Sequence, residues 1–247
     1  MRTRFLAAII AFGCHSIRIV GNVVDQARLA AAGPRIYTVG IAAELGYGQL
    51  DVTENTVDRM SKETQPRGDE QDPGSSIALL VTNIRREEAP MLIDTGAVKF
   101  LVTTTNILAY AISRRSRSTT AVRGNKLNAA GAYPAAAIGL VDGAYEIDIS
   151  RFGPLTFAEN FCELAVEGAA LGGPAAAVTI AAQALVLPDN QVRQDRGDHA
   201  VAVRAKVPML DDIRAAVTAT GNITDGDIVV NGPPLPAPWQ PLNIRLS

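Results

Sequence analysis

A doubly wound α/β sheet of Rossmann type, in a single domain over residues 1–247 with helices on both faces, is the fold class this sequence predicts. Three observations predict it. Short β-like runs alternate with segments of helical spacing along the whole chain, the pattern of parallel strands joined by crossover helices. IALLVTN at 77–83 is apolar without alternation, as a strand buried on both faces should be. The composition is 47% hydrophobic and 19% charged, enough for a large core built from alanine and branched aliphatic residues.

In chain order, FLAAIIAF reads as a buried first strand and NVVDQARLAAAG (22–33) as a helix stopped by Gly33. RIYTVG (35–40) and GQLDV (48–52) read as strands. TENTVDRMSKETQ follows as a helix, with Thr53 as its N-cap and Val57 and Met60 on one face. A polar, turn-rich connection at 66–76 leads into the 77–83 strand. TTTNILAYAISRR (103–115) has helical spacing, KLNAAGAYP (126–134), within the ambiguous segment 121–140, reads as strand then loop, and 144–165 as a helix interrupted by Gly153-Pro154. AAAVTI (175–180) is a strand, MLDDIRAAVTATG (209–221) a helix with a glycine stop, and DGDIVVNG (225–232) the last strand and turn. No internal repeat stands out. In such a sheet ligands bind beyond the carboxyl ends of the strands, which directs attention to the loops after Phe12, Gly40, Val52 and Asn83 and to the residues around 128–145.

The chain has 23 Lys and Arg against 25 Asp and Glu, a net charge of −2, and no basic stripe with interleaved aromatics, so nucleic acid is not an expected partner. Two cysteines, Cys14 and Cys162, and two histidines, His15 and His199, offer no metal-ligand spacing. The start, MRTRFLAAIIAFGC, combines basic residues with a short apolar run. It reads as a first strand, with a secretory signal as the alternative. No stretch is long enough to span a membrane as a helix.

The order of these pieces resembles the short-chain dehydrogenase/reductase family over nearly the whole chain. ARLAAAGPRIYTVG (27–40) is similar to its first helix and second strand, and QLDVTENTVDRM (49–60) to its third strand and following helix. IALLVTN is similar to the strand ending in the family's N-N-A-G, and TTTNILAYAI (103–112) to the helix bearing its catalytic asparagine. AYEIDISRFGPLTFAENFCELA (144–165) resembles the catalytic helix. The resemblance implies NAD or NADP as cofactor and hydride transfer to or from a small alcohol or carbonyl substrate. Tyr145 would be the acid or base with Asn106 in support, and Gly13, Gly21, Asp51, Val52 and Asn83 would contact the cofactor. A homodimer or homotetramer in the cytoplasm would be expected. The chain departs from the family pattern in its glycine loop, in Ile84-Arg85 after Asn83, in the absence of a serine at 128–132, and at Ile149, where a lysine would lower the tyrosine's pKa. Those departures leave a catalytically impaired binding or scaffold protein as the alternative. D-T-G-A at 94–97 offers a third reading, an aspartic protease-like protein using Asp94.

Overall fold

The computed structural model describes residues 4–12, 16–25, 36–44, 49–60, 76–82, 119–130, 134–138, 154–165, 176–194, 201–207, 216–235 and 237–246. They form a coil of parallel strands. The first turn of the coil is β1 (Arg4–Phe12), β2 (Ser16–Val20) and β3 (Val23–Asp25). The second is β4 (Ile36–Glu44), β5 (Gln49–Thr53) and β6 (Thr56–Met60), and the third β7 (Ser76–Thr82), β8 (Thr119–Arg123) and β9 (Lys126–Ala130). The fourth comprises β10 (Ala136–Ile138), β11 (Pro154–Ala158) and β12 (Phe161–Ala165), and the fifth β13 (Val178–Ala181), β14 (Ala184–Pro188) and β15 (Gln191–Gln194). The sixth comprises β16 (Val201–Lys206), β17 (Val217–Thr220) and β18 (Ile223–Thr224). The seventh has β19 (Asp227–Val230) and β20 (Ile244–Arg245).

Corresponding strands of successive turns pair in parallel and build three sheets: sheet A (β1-β4-β7-β10-β13-β16-β19), sheet B (β2-β5-β8-β11-β14-β17) and sheet C (β3-β6-β9-β12-β15-β18-β20). This is a parallel β-helix, in which each turn contacts mainly its neighbours. It overturns the doubly wound α/β expectation: no α-helix occurs among the described residues, and one 3-10 turn spans Gln240–Leu242. The predicted helix at 22–33 begins as β3, the one after Thr53 is β6, the segment 154–165 is β11 and β12, and the end of the 209–221 helix is β17. No helix among the described residues is long and apolar enough to cross a membrane.

Side chains pointing into the coil stack by register. Sheet B contributes Ile17, Leu50, Thr120, Leu155, Leu185 and Val217 in one column. Sheet C contributes Val24, Val57, Leu127, Cys162, Val192 and Thr224. Sheet A contributes Ile41, Leu79, Ala136, Val178, Val203 and Ile228. All are buried, and each large aliphatic side chain contributes about 1.5–3 kcal/mol. Ala42 and Ala137 on the opposite face of sheet A are buried as well. The outer face of sheet A is nevertheless buried only in part: Ile77 and Leu80 of IALLVTN are partly buried, and Ile10 of β1 is 54% exposed.

Burial pushes the Cys162 thiol far above its ordinary range, so it stays a neutral, inert side chain between Leu127 and Val192. In the native protein Cys162 is expected to resist iodoacetamide, and to be alkylated once denaturant opens the coil. Peptide mapping of the labelled protein reads both states.

The sheet C interior holds one misfit. Gln194 pairs in register with Leu164 and is 6% exposed, yet its side-chain nitrogen and oxygen have no hydrogen-bond partner. A buried amide without partners costs about 1–3 kcal/mol. Gln194→Met keeps the length and removes the polar atoms. Its melting temperature should rise by roughly 2–12 °C at about 2–4 °C per kcal/mol.

Candidate binding surface

The corner between sheets B and C is built the same way in six successive turns. Two residues span it each time: Gly21-Asn22, Glu54-Asn55, Gly124-Asn125, Glu159-Asn160, Asp189-Asn190 and Gly221-Asn222. The first residue of each pair is left-handed, with φ between 54° and 70°. That turns the chain sharply without interrupting the ladder. Its N–H donates to the next turn's carbonyl, as from Gly124 to Ala158 O and from Asp189 to Thr220 O.

The second residue is always asparagine, and its side chain points inward. Asn160 donates from both its backbone N (3.0 Å) and its Nδ2 (3.1 Å) to Asn190 Oδ1, while its own Oδ1 accepts the same pair from Asn125. Its Nδ2 also donates to Val122 O of the preceding turn. The chain of amides runs from Asn22 through Asn55, Asn125, Asn160, Asn190 and Asn222 to Asn243. Asparagine suits the position because one short side chain supplies two donors and a two-fold acceptor, which satisfies corner groups that burial would otherwise orphan.

Three of the left-handed positions carry Glu54, Glu159 and Asp189 rather than glycine. A non-glycine residue there costs about 1–2 kcal/mol, partly offset by the backbone entropy glycine loses on folding. Glu159→Gly is therefore expected to raise the melting temperature by about 2–4 °C, equivalent to about 1 kcal/mol. Calorimetry of the two proteins side by side checks it.

The invariant two-residue corner joins sheets B and C into one wall. The longer stretches of sequence between strands, such as 83–118 and 139–153 between sheets A and B and 61–75 between sheets C and A, fall at the other two junctions. On the wall's sheet C face the outward residues also lie in register. Asp25 pairs beside Asp58, Asn128 beside Glu163, and Glu163 beside Arg193. Asn128 Nδ2 donates to Asp58 Oδ1 at 3.1 Å, which closes the one register shift in the row. Arg193 lies over the Phe161 ring, 5.7 Å from its centroid, and Lys126, Phe161 and Gln191 are neighbours in the adjacent row. At about 4.8 Å between strands, five turns extend this polar row over about 19 Å.

The residues singled out by the dehydrogenase resemblance are not assembled into a cofactor site among the described residues. Gly21 is a left-handed corner residue, and Val52 is buried in the interior with its carbonyl accepting from Asn125 Nδ2 at 2.9 Å. Asp51 faces outward on sheet B, hydrogen-bonded to Thr53 and 3.5 Å from Arg18 Nε. Gly13, Asn83, Asp94, Asn106 and Tyr145 lie outside the described residues. What sequence reasoning missed was the repeat itself: an apolar-x-apolar strand, a two-residue corner ending in asparagine, and a second apolar strand. Ladder asparagines are 33, 70, 35, 30, 32 and 21 residues apart, so no fixed period reveals them. Compared with family models, with curated proteins and with solved structures, the chain finds no match.

Proposed function

We propose that this protein is a rigid recognition scaffold that binds an extended, uncharged polysaccharide along the outer face of sheet C. The observation that carries the reading is the in-register row Asp25, Asp58, Asn128, Glu163 and Arg193, one polar group per turn on a wall fixed by the asparagine ladder. Carboxylates and a guanidinium in register hydrogen-bond to a repeating polyol, Asn128 holds the Asp58 carboxylate between them, and Phe161 beside them adds apolar surface for a sugar face. Three carboxylates against one guanidinium in the row disfavour a polyanion. A wall that does not have to order itself on binding keeps the entropic cost of recognition low. The hydride transfer implied by the dehydrogenase resemblance needs a crevice at the strand ends of a doubly wound sheet, and the described strands form a coil instead.

Co-sedimentation with a panel of neutral insoluble polysaccharides tests the reading. At least one should retain the protein, and Glu163→Ala and Arg193→Ala, both at exposed positions, should each weaken retention about tenfold, or about 1.4 kcal/mol. Retention unchanged in both variants, or no retention on any polysaccharide, would overturn it.

A further inference from the structure

The chain after β19 closes the end of the coil. Val230 N donates to Pro233 O, Leu235 N donates to Ile228 O, and Pro234 bridges Val229 in antiparallel fashion, so this segment covers the edge of sheet A. Asn243 Nδ2 donates to Ala219 O at the end of sheet B. Ile244 N donates to Asn222 O and Leu246 N to Thr224 O at the end of sheet C. Leu235 is buried, and Trp239 packs against the interior stack. All three sheet ends are met by one strap. The strap carries proline at 233, 234, 236, 238 and 241, residues that lack the N–H needed to extend a ladder.

From this geometry we infer that the C-terminal end of the coil is a latent self-association surface, masked in cis by residues 231–247, and that its partner when unmasked is the same end of a second copy. The edges of β17, β18 and β19 are a ready template for strand pairing once the strap leaves. The other end of the coil does not offer a matching three-sided open interior: Ile17, Ile19 and Val24 of the first turn are already 3%, 6% and 6% exposed, and Ile9 and Ala11 of β1, which pack against the interior, are only partly open. Two unmasked C-terminal ends related by a two-fold axis meet edge to edge with their strands antiparallel. That contact uses the same surface twice and closes on itself, so the product is a dimer and not a fibre.

Two full-length variants release the strap by different routes. Leu235→Ala with Trp239→Ala removes its apolar anchors. Ile244→Pro deletes the β20 donor at a position 58% exposed and leaves the interior intact. Light scattering across a concentration series, with far-UV circular dichroism alongside, should show the mass of both variants doubling at concentrations where the parent chain is monomeric. A synthetic peptide of residues 231–247 should return them to monomer. Variants that keep their β signal and stay monomeric would overturn the inference, as would dimers indifferent to the peptide or open-ended polymers.

Discussion

Asn190→Ala is expected to be among the most destabilising single substitutions in this protein, lowering the melting temperature by roughly 6–20 °C. The side chain is buried and makes five contacts at once. Its Oδ1 accepts from Asn160 N and Nδ2, and its Nδ2 donates to Phe157 O (2.8 Å), Pro188 O (3.1 Å) and Asn222 Oδ1 (2.9 Å). Alanine leaves the Asn160 N–H, the Phe157 carbonyl and the next amide in the chain without partners in a place water does not reach. Each orphaned group costs about 1–3 kcal/mol, so a total of about 3–5 kcal/mol is expected once the coil relaxes. At about 2–4 °C per kcal/mol the melting temperature falls as stated. Asn190→Asp sharpens the test. It preserves shape and the Oδ1 acceptor, but aims a second oxygen at the carbonyls of Phe157 and Pro188. If shape mattered most, Asp would rescue the protein. If the donor matters, Asp is no better than Ala at neutral pH. Asn22→Ala, at the outermost and more exposed rung, should cost distinctly less, because water can replace its partners. Thermal denaturation of the three variants separates these outcomes.

The same corner explains what the sequence concealed. The strands at 4–12, 36–44, 76–82, 178–181 and 227–230 are legible as apolar runs. The short strands are not legible in that way. In 154–165 the inward residues are Leu155 and Phe157, then Cys162 and Leu164. Alternation holds within each pair, but the left-handed Glu159 and inward Asn160 separate the pairs by five positions, and the sum imitates helical spacing. Pro154, an anomaly inside a helix, is ordinary as the first residue of a strand. The Thr53 reading failed for the same reason: a polar residue before a corner looks like a helix cap. The polar row on sheet C was invisible because its members are 30 to 70 residues apart in sequence and adjacent only through register. Of the site, therefore, only individual residue types were readable, and their alignment came from the coil.

Register also makes Gly40→Ala unusually costly for so small a change. Gly40 heads the inward column position occupied in later turns by Ala78, Ala135, Ala177 and Ala202, all buried. Those alanines show that the position accepts a methyl group elsewhere in the coil. At Gly40 it does not, because a Cβ would lie 2.5 Å from Val57 Cγ1 and 2.7 Å from Ala78 O. Neither neighbour can step aside cheaply. Val57 is β-branched, fully buried and pinned in the sheet C column, and the Ala78 carbonyl belongs to the strand that pairs with β4. The expected loss is about 2–4 kcal/mol, at or above the usual range for overpacking, read as a fall of roughly 4–16 °C in melting temperature. The double variant Gly40→Ala/Val57→Ala divides the clash into its parts. Removing the Val57 methyls relieves the 2.5 Å contact but not the carbonyl, so the pair should lose about 1–2 kcal/mol less than the sum of the single losses without returning to the parent value. Strict additivity would mean that the β4–β7 backbone, and not the Val57 side chain, sets the limit at this corner of the coil.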